Sequence, residues 1–322
     1  MLKCHLSFLL ELFVFIQSIN QRFYYGWVIV WTLMFMLTFV TGLSFYNHAI
    51  ILNAIASQPN FSVESASLAV SLFFLSGGFT GLWVGKMLDR FDPRICFTLG
   101  AITSALALLA LGYVQTTWQL FGAFILFGMG FAGSNLIPAT TVINQWFRGK
   151  RAMALALAST GLSLGGVIVT PISAALVAAL GFQDALPWLA AMFILGVIPI
   201  AWLLIRPSPE SVGITPPSQF DRPVVNESKV ATNADTEIKT PSINYDGVSF
   251  RDAIRKRFFW CFCAAYTFLM MAQVGAIAHQ YSLARETLTD TQTAFAVAII
   301  PIASIIGRLI GGWVVEQVSM RV

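Results

Sequence analysis

Charge is scarce in this sequence. Asp, Glu, Lys and Arg make up 11% of its 322 residues, against roughly 25% in a soluble domain. No Asp or Glu lies deep in any of its long apolar stretches. A soluble fold is excluded by the other side of the same balance. Hydrophobic residues reach 57% and mean hydropathy is +0.75, so lipid must be the solvent for most of the surface. Cysteine is sparse too. Cys4, Cys96, Cys261 and Cys263 show neither zinc spacing nor a disulfide framework, and they read as small apolar residues in helices. No metal or cofactor is expected. The net charge of +4 does not point to nucleic acid, because the basic residues sit in short loops between apolar stretches.

What the sequence does have is eight apolar segments, each near the roughly 20 residues that a bilayer requires. They cover residues 27–52, 64–87, 95–114, 118–145, 151–180, 186–205, 256–284 and 291–316. Residues 6–16 are apolar but too short to span. They lack a following cleavage site and read as a cytoplasmic lead-in; a start codon placed too far upstream is the rival reading. Residues 206–255 hold Pro207, Pro209, Pro216, Pro217, Pro223 and Pro241 among scattered polar groups. Such a composition builds no packed core and reads as a polar linker, with a short interfacial helix expected over 250–257.

Lys and Arg placement sets the orientation. The loop after the second span carries Lys86, Arg90 and Arg94, and the loop after the fourth carries Arg148, Lys150 and Arg151. The linker is basic as well. The loops after the first, third and fifth spans carry no Lys or Arg, and the loop after the seventh carries only Arg285. The even-numbered loops and the N-terminus therefore face the cytoplasm, with the plasma (inner) membrane expected as the location.

An internal repeat sets the plan. GKMLDRFDPR at 85–94 and GWVVEQVSMR at 312–321 keep Gly, acid and Arg at the same spacing. Gly85, Asp89 and Arg94 thus answer to Gly312, Glu316 and Arg321, and the second and eighth spans are corresponding helices of two halves. A duplicated helical unit joined by a cytoplasmic linker is a transporter plan.

These residues resemble the major facilitator superfamily, whose signature loop between helices two and three runs Gly-x-Leu-Ala-Asp-Arg-x-Gly-Arg-Lys. Gly85, Met87, Leu88, Asp89, Arg90 and Arg94 fit it, while Asp92 replaces the second glycine. YGW at 25–27, NQWFRGKR at 144–151 and GRLIGG at 307–312 are similar to the monocarboxylate porter and oxalate:formate antiporter branch. The resemblance implies an all-α membrane protein with a complete N-terminal six-helix half plus the first two helices of the second half. The expected divisions are 1–24 lead-in, 25–206 six-helix bundle, 207–255 linker and 256–322 partial C-terminal bundle. Because that superfamily has twelve helices, the resemblance also implies a fragment or a truncated gene.

Arg308 is the one Lys or Arg deep inside a span. A charge there is costly and faces a cavity or a partner, and guanidinium offers planar, bidentate contacts to an anion. In the branch named above, the eighth-helix Arg binds the anionic substrate. Snorkelling to the cytoplasmic face, or pairing with Glu316, is the bland alternative, although eight residues of helix is about 12 Å. That branch also places a proton-partner Asp four residues earlier, where this chain has Ser304, so exchange of anions gains weight against proton symport. His48 and His279, late in the first and seventh spans, read as a relay or outer gate, or as structural polar groups. Tyr46, and Asn135 on the fourth span, are candidates for the same lining. Asp89, Arg90 and Arg94, with Gly85, Gly312, Glu316 and Arg321, read as a conformational gate, an acid of this kind being favourable at a helix N-terminus. Glu316 is expected to face the start of the fifth span, near 148–153.

Small residues recur at packing spacing at Gly77, Gly81 and Gly85, at Gly161 and Gly165, and at Gly307 and Gly311. Pro138, Pro171 and Pro301 are expected to kink their helices. GMGFAG at 128–133 mimics a dinucleotide fingerprint and GLSLG at 161–165 a nucleophile elbow. The first has no preceding strand or βαβ unit, and the second has only His279 after it and no acid at membrane depth to complete a triad. Both read as glycine packing faces, and the chain as a carrier rather than an enzyme. The reading is a secondary transporter of a small organic anion, a mono- or dicarboxylate, working by alternating access with a proton or an exchanged anion as coupling ion. A non-transporting membrane sensor or a decayed transporter fragment is the alternative.

Overall fold

The computed structural model describes residues 24–56, 60–147, 150–212, 250–287 and 290–317, and every regular element among them is a helix. In chain order these are α1 (Tyr25–Leu43), α2 (His48–Ala56), α3 (Val63–Leu88), α4 (Pro93–Leu111), α5 (Thr117–Ser134), α6 (Leu136–Trp146), α7 (Arg151–Leu164), a π-helical turn (Gly165–Val169), α8 (Thr170–Leu180), α9 (Phe182–Leu204), a 3₁₀ turn (Glu210–Val212), α10 (Phe250–Arg255), α11 (Arg257–Thr287) and α12 (Asp290–Gln317). Six runs are long and apolar enough to cross a membrane: Tyr25–Ile55, Val63–Leu88, Pro93–Leu111, Thr117–Trp146, Arg151–Leu180 and Phe182–Leu204. They coincide with the first six apolar segments of the sequence. A shorter apolar helix covers Ile299–Val315. The chain is an all-α membrane protein.

The helix starts are written locally. Ser62 and Ser65 form a capping box at α3, and Thr116 and Gln119 form another at α5. Asp92, the departure from the signature loop, is the N-cap of α4: its Oδ1 accepts from the Arg94 backbone N–H at 2.8 Å, and Pro93 follows at the first helical position.

Three of the six spans are broken in mid-course, which hydropathy does not reveal. In the first, Thr32, Thr38 and Thr41 each donate a side-chain hydrogen bond to the carbonyl four residues back, as does Ser44 to Val40. Such back-bonding bends helices, and the backbone leaves the helix at Ser44–Asn47 before α2 resumes. In the fourth span the break is at Asn135 (φ −100°, ψ −142°). Pro138 follows within the first turn of α6 and has no N–H to return to Ser134. In the fifth, the Thr170 N–H bonds back five residues to Gly165, and Pro171 follows at once. Two of the three expected proline kinks thus lie beside real interruptions. Pro301 lies inside a continuous α12.

Two compact units are distinguished, Met1–Arg222 with Ala298–Val322, and Pro223–Val297. In the first, α1 is the central element, packed against α7, the π turn and α9, while α5 packs against α3 and α4. Glycine permits these approaches. Gly161 lies against the backbone of Met34, Gly165 against Gly42 and Thr38, Gly128 against Phe73, and Gly130 and Gly133 against α4. Both rejected enzyme motifs are therefore packing faces. Gly85, Gly307 and Gly311, expected to do likewise, face open space. In the second unit, α10 and α11 meet at Lys256, Trp260 Nε1 donates to the Ile254 carbonyl at 2.9 Å, and Phe258, Phe262 and Tyr266 stack along α11.

Candidate functional site

The site is assembled at the break in the first span. Tyr46 lies in the Ser44–Asn47 turn, with its ring over Gly166, where an added Cβ would come within 2.9 Å of it. The Tyr46 side chain interacts with Ser163 of α7 and with the charge of Arg308 of α12. Ser163 is fully buried and its hydroxyl donates to Ser304 Oγ at 3.2 Å. Arg308 Nη1 donates to the Ser159 carbonyl. Ser159 and Ser163 are one turn apart on α7, and Ser304 and Arg308 are one turn apart on α12, so two matching i, i+4 pairs face each other across the helix contact. Gly312 holds this contact close one turn beyond Arg308: a Cβ there would strike Ala156 and approach Ala152 and Met153.

The remaining candidates fall in different places. His48 is 7% exposed and sits in an aromatic box, 4.3 Å from Phe73, 5.7 Å from Phe74, 5.9 Å from Phe124 and 6.1 Å from Phe127 between ring centroids. Neither ring nitrogen has a hydrogen-bond partner, and the fully buried Asn47 amide has none either. The Tyr46 ring lies over Gly166 and His48 among the phenylalanines, so neighbours in sequence part company in space. Asn135 forms the break in the fourth span with its Oδ1 buried and unpartnered. The His279 and Glu316 side chains, and Arg321, lie outside the described residues. Glu316 follows Gly312, whose neighbours are Ala152, Met153 and Ala156, by one turn of α12.

At the end of the bundle marked by Arg94 and Arg206, Asp89 and Arg90 are exposed. Arg94 instead turns inward: its Nε is 3.8 Å from Asp92 Oδ1, and its guanidinium lies 5.9 Å from the Trp202 ring. The stretches around residues 25–27 and 144–151 meet there. Tyr24 OH donates to the Trp146 carbonyl at 2.5 Å, Trp27 and Phe147 pack edge-on at 5.3 Å, Tyr25 OH donates to the Leu204 carbonyl at 2.9 Å, and Trp146 Nε1 donates to the Arg206 carbonyl at 2.8 Å. An aromatic clasp thus closes spans one, four and six together. Among the described residues no cluster of His, Cys, Asp or Glu could hold a metal ion.

Ser159 and Ser163 are the members that sequence reasoning missed. Their signal was present as polar residues four apart on one face of an otherwise Ala- and Leu-rich span, but it drew notice only as a false nucleophile motif.

The sequence matches the Major Facilitator Superfamily over residues 34–322, and the chain belongs to that superfamily. It is 28% identical over 260 residues to MFS-type transporter hasB of Aspergillus fumigatus, covering 79% of this chain and 52% of that one. It is 20% identical over 271 residues to a glycerol-3-phosphate transporter of Bacillus subtilis, covering 81% and 58%. It is 23% identical over 270 residues to a phosphoglycerate transporter protein of Salmonella typhimurium, covering 81% and 57%. The chain spans about half the length of these curated relatives. Among solved structures, a bacterial homolog of the human lysosomal transporter Spinster, inward-facing and unoccupied, aligns with a TM-score of 0.44 at 17% identity, covering 91% of this chain and 60% of that one.

Proposed function

We propose that the chain carries the anion-binding part of a secondary transporter for a small organic anion, moved by alternating access, with Arg308 as the anion's partner. The observation that carries this reading is the grouping of Arg308 with Tyr46, Ser159, Ser163 and Ser304 at a break in the first span. A guanidinium supplies the charge and a planar pair of donors, and hydroxyls complete the shell of a carboxylate or a phosphate. Irregular backbone at membrane depth belongs where it is buried in protein or lines a cavity. The relatives named for glycerol 3-phosphate and phosphoglycerate have organic anions as their named cargo, which supports the anionic class. A mono- or dicarboxylate and a phosphate ester share the chemistry that Arg308 recognises.

The same reading assigns Gly85, Asp89, Arg90, Arg94, Gly312, Glu316 and Arg321 to an inner gate, residues 25–206 to one helical half, and 256–322 to the start of the second. It sets the N-terminus in the cytoplasm of a cell whose plasma or inner membrane holds the chain. The coupling ion is a proton or an exchanged anion, with exchange favoured because Ser304 stands where a proton-carrying Asp would be.

Counterflow into liposomes holding the full chain tests this. Replacing Arg308 with Gln removes charge-assisted bonds worth about 1.5–3 kcal/mol, so anion uptake should fall roughly 10- to 100-fold, with Arg308→Lys between the two. Undiminished uptake by Arg308→Gln would refute the assignment.

A further inference from the structure

Two cations meet where α4 begins and α9 ends. Arg94, in the first turn of α4, lies with its guanidinium 5.9 Å from the Trp202 ring, and Trp202 Nε1 donates to Thr98 Oγ1, one turn further along α4, at 2.9 Å. Arg206 follows the end of α9, and its Nη1 donates to the Trp202 and Ile205 carbonyls at 3.2 Å. Arg206 is near enough to act on Arg94 as a like charge, and both act on Tyr25. Against these two charges stands the Asp92 carboxylate, whose Oδ1 is 3.8 Å from Arg94 Nε and already accepts from the Arg94 backbone N–H. That separation is too long for a hydrogen bond. Arg94 Nε is accordingly buried without a hydrogen-bond partner. A cationic corner with an unpaired donor is short of one anion.

The surroundings indicate what kind of anion. Trp202 is 50% exposed, and the exposed face continues from it in apolar residues. Leu195 lies two turns back along α9, and Ile102 and Leu106 lie one and two turns beyond Thr98 on α4; all three are exposed. Such a face is bathed by lipid, and an indole in the last turn of an apolar span belongs at headgroup level. The corner is therefore cationic at one end and continuous with an acyl-chain surface at the other.

We infer that Arg94, Arg206 and Trp202 hold the headgroup of an anionic phospholipid, with its phosphate between the two guanidinium groups and an acyl chain along Ile102, Leu106 and Leu195. Planar guanidinium donors suit a phosphate, and basic pockets between membrane helices recognise such headgroups. A zwitterionic headgroup fits less well, because its ammonium meets the same two cations. The site uses no residue of the Arg308 corner and stands whether or not that corner carries the transported anion.

Tryptophan quenching tests it. The full chain would be reconstituted in phosphatidylcholine vesicles doped with brominated-chain phosphatidylglycerol or, in parallel, with brominated-chain phosphatidylcholine. The anionic lipid should quench with roughly tenfold or more higher apparent affinity, since each cation at an anionic headgroup is worth about fivefold in binding. Arg94→Gln and Arg206→Gln should each lower that preference by about fivefold, and the double variant should bring it close to one. Trp202→Phe should remove the excess quenching. Arg206 bonds only helix-end carbonyls, so Arg206→Gln guards against an Arg94→Gln chain that fails to fold. Lys86, whose Nζ lies 5.5 Å over the exposed Trp83 ring, is a single cation–indole pair, and Lys86→Gln or Trp83→Phe should leave the excess in place. Equal quenching by the two lipids, or an excess that survives Arg206→Gln and Trp202→Phe, overturns the inference. Loss of the excess on adding inorganic phosphate at constant ionic strength also overturns it, by showing that a soluble anion occupies the corner.

Discussion

His48 and Tyr46 show how much a single residue's role depends on the direction it points. Both belong to the same short turn region, and both read from sequence as polar lining. Tyr46 joins Ser163 and Arg308, while His48 is enclosed by four phenylalanines with neither nitrogen partnered. An unsatisfied buried polar group costs about 1–3 kcal/mol. Edge-on ring contacts return about 0.5–1.5 kcal/mol. The balance makes His48 a net liability in this conformation. Replacing it with Leu should raise the thermal unfolding midpoint of the detergent-solubilised chain. A lower midpoint would show that the imidazole finds a partner that these contacts do not include.

At the scale of the element, glycines with the same spacing in sequence have different surroundings. Gly161 presses on the Met34 backbone, and Gly307 meets nothing within 4 Å. An Ala at 161 must push α7 from α1, an overpacking of the kind that costs typically 1–3 kcal/mol. An Ala at 307 removes a helix-interior glycine, worth roughly 0.5–1 kcal/mol of stability. The two substitutions should therefore move the unfolding midpoint in opposite directions, and shifts of the same sign would contradict the helix contacts described. The small-xxx-small pattern is legible in both helices. Whether a neighbour uses it is not, because the pattern states what a helix permits and only its neighbour determines what is packed.

For the whole molecule, orientation is the property with the widest consequences. In the proposed orientation, read from the asymmetry of Lys and Arg, the loop at Lys86–Arg94 lies inside and the loop at Gly112–Thr116 outside. A cysteine placed at Gln115 should react with a membrane-impermeant maleimide added to intact cells, and one at Arg90 only after the membrane is opened. The reverse pattern would invert the proposed gate assignment. Exposed residues such as Trp83, Phe79 and Trp188 cover the outside of the bundle, as expected where lipid is the solvent.

Hydropathy and charge in the chain were enough to establish the membrane, the number and extent of the first six spans, and the superfamily signature at Gly85–Arg94. These are sums over neighbours along the sequence, and lipid reads them in that one-dimensional form. The breaks at Ser44–Asn47, Asn135 and Gly165–Val169 escape such sums, because a turn of Tyr, Asn and Ser inside an apolar run barely lowers its mean hydropathy. Arg308 was legible as a lone charge inside a span and Tyr46 as polar lining, but Ser159 and Ser163 as their companions were not. Together these residues come from helices far apart in the chain, and their meeting depends on which glycine face lets which backbones approach. Packing chose those faces, and with them it built the Arg308 corner.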